Sequence, residues 1–404
     1  MSEQTSTPVT ALAGIKVLDL TRLLPGAFGT MMLADMGAEV IKIEEPGKGD
    51  YNRAFPPIAK AESGSFLLLN RNKKSVAINL KDEQGKRLFL AMARQVDVVI
   101  EGFRPGVMDR LGLGYEVLKA ENPLIVYCAI SGYGQDGPYR LLPGHDLNYL
   151  AIAGALGLFG KAGEGPIVPG LSIADIGGGS LMAVSGILAA LIGRGTTGEG
   201  QFVDISMTDG TLSWLALHAA DRLFADIEPR GGERPLIGQA PCYNVYECAD
   251  DGHVALGCIE VTFWHRFCDA VSMPELKDEH WPDGERAAAQ HARLRDLFLG
   301  RTREEWTAFL AQADIPFTGV NTMREALYED PQMRHREMLQ HVDHPVEGRI
   351  PQLGFPIKLS GTPCAICSAP PRLGEHTRGV LGALGCDDEE IAELEGRAVI
   401  RTAG

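Results

Sequence analysis

Two short polar clusters stand in apolar, glycine-rich surroundings. They are Gly144-His145-Asp146-Leu147-Asn148-Tyr149 and Ala174-Asp175-Ile176-Gly177-Gly178-Gly179-Ser180. An imidazole and a carboxylate facing one substrate from opposite sides can remove and return a proton at carbon, chemistry that needs positioned acid and base groups. Asp175 has a simpler reading as a helix N-cap, satisfying N–H groups left free at a helix start. The three glycines that follow weigh against it. Each costs about 1 kcal/mol relative to Ala in a helix, which suggests backbone passing close to a ligand. His145 follows Pro143-Gly144 and reads either as a loop histidine hydrogen-bonded to a neighbour or, with Asp146, Asn148 and Tyr149 clustered beside it, as a group that does chemistry.

Other residues could serve the same chemistry. Glu260 follows the apolar run ending Gly257-Cys258-Ile259 and is either an edge charge or a partner that fixes a histidine tautomer. Arg104, in Glu101-Gly102-Phe103-Arg104-Pro105-Gly106, falls at the carboxyl end of an expected strand. That edge is where open α/β sheets bind ligands, and a guanidinium suits phosphate. Arg71, Lys73, Lys74 and Lys81 read either as further positive charge for an anion or as a solvated surface run. The remaining histidines show no metal-ligand spacing, and His341 and His344 sit in what reads as a Pro/Gly-flanked loop, so no metal is expected. There is no G-x-S-x-G, Walker loop or H-E-x-x-H.

The elements that must position these residues alternate. Strand-like runs at 15–20, 39–44, 75–80, 96–101, 124–130 and 201–207 are interleaved with helical segments from Pro25 to Gly37, Asp82 to Gln95 and Gly178 to Leu191. The pattern predicts an α/β fold with a large, doubly wound, mostly parallel sheet, Rossmann-like in outline. Leu23-Leu24-Pro25-Gly26 replaces the dinucleotide fingerprint after the first strand, so no nicotinamide or flavin is expected. A long helix is expected over 209–225. The large domain spans 1–225 and 341–404, 226–239 reads as a linker, and 240–340 forms a smaller α+β domain opening on a hairpin at 243–259.

Composition narrows the function classes. A chain of 404 residues with 45% hydrophobic and 23% charged residues has the make-up of a globular protein of two or three domains. A net charge of −15 argues against nucleic acid and anionic membrane as partners, which need an outward basic field. Met1–Thr10 lacks the features of an export signal, and no run reaches the roughly 18 apolar residues of a membrane span, Leu181–Gly193 being the longest. The eight cysteines are scattered, and the Cys364-x-x-Cys367 pair reads as packing thiols. A cytoplasmic location is expected.

Taken together, these segments resemble the family III coenzyme A transferases and α-methylacyl-CoA racemases, the CaiB/BaiF type. The resemblance runs nearly end to end: 14–46, 71–85, Glu101 to Gly114, Ser131 to Pro138, both polar clusters, and Leu373 to Thr377. It implies an interlocked homodimer and an acyl-CoA substrate. Arg104 and Arg110 would lie near the CoA phosphates, Ile78, Asn79, Leu80 and Lys81 near its nucleotide. Gly102, Phe103, Gly144, Leu147, Asn148 and Tyr149 would complete the binding surface. Glu45 stands where related racemases can carry an arginine toward the CoA, a departure from the pattern. In the family's transferases the aspartate matching Asp175 is a nucleophile that forms an acyl anhydride. In its racemases that aspartate pairs with the histidine of a Gly-His-Asp segment, matching His145, supported by Asp146 and by Glu260 of the other chain. The presence of His145 favours the racemase, closest to α-methylacyl-CoA racemase, over a CoA transferase or a noncatalytic acyl-CoA-binding protein. No cofactor beyond the CoA of the thioester is implied.

Overall fold

The computed structural model describes residues 10–403, so the reading of the first nine residues lies outside it. Within that range the chain forms two compact units, one of 10–153, 171–213 and 331–403, the other of 154–170 and 214–330.

The first unit is built on a seven-stranded sheet. Its strands are β1 (Lys16–Asp19), β2 (Glu39–Glu44), β3 (Lys73–Ile78), β4 (Val98–Glu101), β5 (Val126–Ser131) and β6 (Phe202–Ser206), joined at one edge by the last strand of the chain, Ile400–Arg401. In space β1–β6 run 3-2-1-4-5-6, all parallel, with Ile400–Arg401 antiparallel on β3. This is the doubly wound α/β class that the alternation of runs predicts. Parallel strands covered by helices on both faces are buried on both sides and read as continuous apolar stretches. Accordingly β4 and β5 are buried along their whole length. One face packs Leu18, Ile41, Val76, Val99 and Tyr127 with Phe89 and Met92 of the helix Glu83–Ala93 and with Leu381 and Ile391 of the C-terminal helices.

The helix following the second polar cluster departs from expectation in two ways. It begins at Ala174, not at Gly178, as a π-helical stretch Ala174–Leu181 that continues as the α-helix Met182–Thr197. The whole span of 24 residues is long and apolar enough to cross a membrane by length and composition, contrary to the expectation from the shorter run at 181–193. It packs on the helix Leu23–Asp35 and on β5 and β6, as the core helix of a globular unit of this length and apolarity does. The expected helix at 209–225 is two, Met207–Ser213 and Ala216–Ala225, broken at Trp214-Leu215.

Charge is buried inside this unit. Asp19 at the end of β1 meets Lys73 Nζ at 3.3 Å, and Lys42 Nζ lies 2.8 Å from Asp50. Arg71 pairs with Asp35 at 2.6 Å. Arg71 and Lys73 are therefore neither a solvated run nor free to meet a ligand; only Lys81 of the group is exposed. His341 and His344 lie on a strand, Leu339–His344, paired antiparallel with Gly348–Leu353, rather than in a loop. Cys367 is exposed and Cys364 partly so, and packing does not describe the pair.

The second unit holds a three-stranded antiparallel sheet of Tyr243–Glu247, His253–Gly257 and Phe317–Gly319. Its core packs Tyr246, Trp264, Phe267, Phe298 and Trp306 with four buried cysteines, Cys242, Cys248, Cys258 and Cys268. The indole N–H groups of Trp264 and Trp306 donate to Leu276 O and Phe298 O, both at 2.8 Å, which removes the penalty of burying them.

Candidate active site

In the 3-2-1-4-5-6 order, β1 and β4 are neighbours whose chain connections run in opposite directions, and ligands bind in the crevice at such a switch point. A cavity of about 860 Å³ opens there. It is lined by Thr21 to Gly26 after β1, Gly102 to Pro105 after β4, Ile130 to Tyr133 at the end of β5, and Met207 after β6. Pro143, Gly144, His145, Asn148, Tyr149 and Asp175 form another part of the wall. Every lining residue belongs to the first unit.

The first polar cluster opens the helix Asp146–Ile152, with His145 as its N-cap residue. Asn148 Oδ1 accepts the His145 backbone N–H at 3.0 Å, closing the turn and leaving the imidazole exposed. The buried Tyr149 donates its hydroxyl proton to Gly144 O. Its ring lies so near residue 144 that a Cβ there would come within 2.7 Å of it, a distance only glycine avoids.

Asp175 lies in the first turn of the π-helical stretch, not ahead of the helix as a cap. π-Helical turns are rare and are frequent at functional sites. The Ser180 hydroxyl lies 3.1 Å from Asp175 O and 2.5 Å from Pro25 O, tying the irregular turn to the β1 loop. The two clusters touch: Asp146 Oδ1 accepts the Asp175 N–H at 2.9 Å. Burial pushes the Asp175 carboxyl up to about 6, the Asp146 charge adds to the rise, and His145 opposes it. Tyr149, raised to about 12 chiefly by burial, feels Asp175, Tyr133, Arg104 and Asp146. These groups thus share one electrostatic environment.

Two of the three glycines after Asp175 serve helix packing. A Cβ on Gly178 would lie 2.4 Å from Met207 O, and one on Gly179 3.0 Å from the Met207 side chain. Gly178 and Gly179 let this helix approach the helix Met207–Ser213, and at these two positions packing accounts for the glycine.

A smaller cavity of about 270 Å³ lies over the carboxyl ends of β1–β3. Ile78, Asn79, Leu80 and Lys81 line it with Leu20, Glu44 and Glu45, and Arg22 and Phe103 belong to both cavities. Glu45 lines this cavity with its carboxylate engaged in a local turn. Its carboxylate accepts the N–H groups of Gly47 and Lys48, both at 2.9 Å, which holds it below the usual range, with Arg22 adding to the effect. Arg110 and Leu147 are exposed and line neither cavity. Glu260 belongs to the second unit, exposed at the start of the helix Val261–Ala270, where its side chain caps no N–H.

Sequence reasoning passed over Arg22, Asn52, Ser65, Tyr133 and Arg140 in the main wall. Arg22 follows β1 as Arg104 follows β4, and the same strand-end rule would have found it. Glu101 was also passed over. It is buried at the end of β4, accepts the Phe103 N–H at 2.6 Å, and is pushed up to about 8 by burial.

Known proteins place this geometry. The human succinyl-CoA:glutarate CoA-transferase is 34% identical over 96% of this chain and 90% of its own length. The human alpha-methylacyl-CoA racemase is 33% identical over 97% and 98%. The crystal structure of a CAIB/BAIF family protein from Brucella suis superposes with a TM-score of 0.82 at 31% identity, covering 93% of this chain and 100% of that one. The model of CoA-transferase family III matches residues 12–377, and the chain belongs to that family.

Proposed function

We propose that the protein epimerises 2-methylacyl-CoA thioesters by proton transfer at the α-carbon. The observation that carries this reading is the presence of His145 and Asp175 on the wall of one cavity, with the Asp175 carboxyl raised to about 6. In the forward direction His145 takes the α-proton from one face, giving an enolate, and protonated Asp175 delivers its proton to the other face. The thioester bond stays intact, and reversed roles serve the opposite enantiomer. At pH 7 a carboxyl near 6 is protonated in roughly a tenth of molecules, against about a thousandth for an ordinary aspartate. Burial thereby keeps the acid available at neutral pH. Asp146 fixes the Asp175 backbone and holds up its proton affinity.

The nucleotide of CoA is proposed to occupy the smaller cavity around Ile78–Lys81, and Arg22 and Arg104 to face its phosphates, since Arg22 and Phe103 join the two cavities. The working form is proposed to be a homodimer, in which the exposed Glu260 of one chain orients the exposed His145 of the other. Neither step needs a metal or redox cofactor.

A second reading, CoA transfer between carboxylic acids through an Asp175 anhydride, is supported by the relative named as a transferase. Incubating (2R)-2-methylacyl-CoA with the protein in D₂O, without a carboxylate acceptor, separates the two. Deuterium at C2 with loss of optical purity supports epimerisation. No exchange, with CoA transfer once succinate is added, replaces it by the transferase.

A further inference from the structure

We infer that Glu101 is a positioning residue for acyl-CoA: from behind the cavity wall its carboxyl holds Phe103, and through it Arg22, where the two cavities meet. This rests on the placement of CoA along those cavities proposed above, and not on which reaction follows.

Glu101 ends β4, is 4% exposed and lines neither cavity. Its Oε2 accepts the Phe103 N–H at 2.6 Å, closing the chain around Gly102. Phe103 lines both cavities, and the Arg22 guanidinium lies 5.2 Å from the centre of its ring. On the proposed placement the thioester passes this point between its nucleotide and its acyl end. One buried side chain thus fixes the backbone of the residue at the junction.

Other acids at the same sheet edge are built differently. Asp19 ends β1 beside Lys73, and Glu44 ends β2 with Arg53 at 2.8 Å. A buried carboxylate that only holds the fold is compensated by such a cation. Glu101 has none. The groups acting on it are Asp109 of the helix Val107–Arg110 and Tyr127 and Cys128 of β5. Burial without a cation favours the neutral acid and pushes the carboxyl up to about 8. The neutral form offers one oxygen to the Phe103 N–H and an O–H to the Tyr127 hydroxyl, its other hydrogen-bond partner. The ionised form puts an uncompensated charge behind the wall that meets an anionic ligand. Binding is therefore tied to the Glu101 proton, and the tie is reciprocal: a ligand that prefers the protonated form draws the proton in.

The probe is acetyl-CoA, whose thioester sulfur carries no proton, titrated calorimetrically at pH 7 and pH 9 in two buffers of different ionisation enthalpy. A carboxyl near 8 is about nine-tenths protonated at pH 7 and about a tenth at pH 9, so wild-type affinity should fall about tenfold. Binding at pH 9 should take up about one proton per ligand. Glu101→Leu removes the acceptor and should bind roughly tenfold more weakly at pH 7. Glu101→Gln keeps an oxygen for the Phe103 N–H; it should restore most of that affinity and show neither the alkaline loss nor the proton uptake. A residue serving only the fold leaves the proton count unmoved. Wild-type affinity that stays level from pH 7 to pH 9 overturns the assignment, as does an alkaline loss that persists in Glu101→Gln. If wild type binds no acetyl-CoA at pH 7, the placement of CoA itself fails, and the role of Glu101 falls with it.

Discussion

Asp19 and Asp175 are both buried aspartates of the same unit, and the fold treats them in opposite ways. Burial raises the proton affinity of each. At Asp19 the ammonium groups of Lys42 and Lys73 and the hydroxyls of Thr21 and Thr30 outweigh it, and its carboxyl ends below the ordinary range. At Asp175 the next neighbour in strength is another carboxylate, Asp146, and the value climbs to about 6. Partners, not burial, decide which carboxylate is a fixed anion in the architecture and which can exchange a proton. Asp19 organises: its carboxylate accepts the Thr21 N–H at 2.9 Å, setting the β1 loop that lines the cavity.

The hardest test of this contrast is activity. A positioned acid or base contributes about 10²–10⁴-fold, so Asp175→Asn and His145→Gln are each expected to slow deuterium exchange at C2 by at least 10²-fold, with cooperative melting retained. Exchange within threefold of wild type in both variants removes the proton-transfer assignment.

Stability should separate the two aspartates next. Replacing Asp19 with Asn leaves the buried Lys73 without its carboxylate partner, while Lys42 keeps Asp50, and breaking a buried pair costs about 3–5 kcal/mol. Urea unfolding at pH 7.5 should show a loss of that order. A loss below 1 kcal/mol would mean the network adds nothing to the fold.

Asp175→Asn should move the other way. A carboxyl raised from 3.8 to about 6 on folding gives stability that is present below its unfolded value and lost as pH rises through about 6. Above pH 7 wild type carries the cost of a desolvated charge, about 3 kcal/mol at 1.36 kcal/mol per pH unit. The amide variant should therefore be more stable than wild type at pH 8, with the gap narrowing toward pH 4. Equal stability across that range would place Asp175 in contact with solvent.

The framework of this site was readable because its physics is local. Short runs rich in Val, Ile and Leu, each bounded by turn or helix signals, located β1–β5 within about three residues; Glu39–Glu44 matches to the residue. Arg104 could be placed at a strand end from that pattern. What escaped depended on partners distant in sequence. Gly178 answers to Met207 and not to a ligand, and Lys73 is buried because Asp19 lies beside it. The break at Trp214-Leu215 has no glycine or proline to announce it. The start of the helix at Ala174 depends on a π-helical turn, which leaves no apolar periodicity to read.

The finest test of the comparison keeps Asp175 and changes only its neighbour. Asp146→Asn retains an oxygen able to accept the Asp175 N–H, so the 2.9 Å contact and the turn are preserved. It removes the charge that ranks second to burial in raising Asp175. The Asp175 carboxyl should then titrate below about 6 but above 3.8, because burial, the larger cause, is untouched. Carbon-13 NMR of labelled aspartate reads this directly, and the pH-dependent part of the Asp175→Asn stability gap should shrink when both changes are combined. An unchanged titration would mean that burial alone sets the acid, and that the carboxylate pair, unlike the Asp19 network, contributes position and not charge.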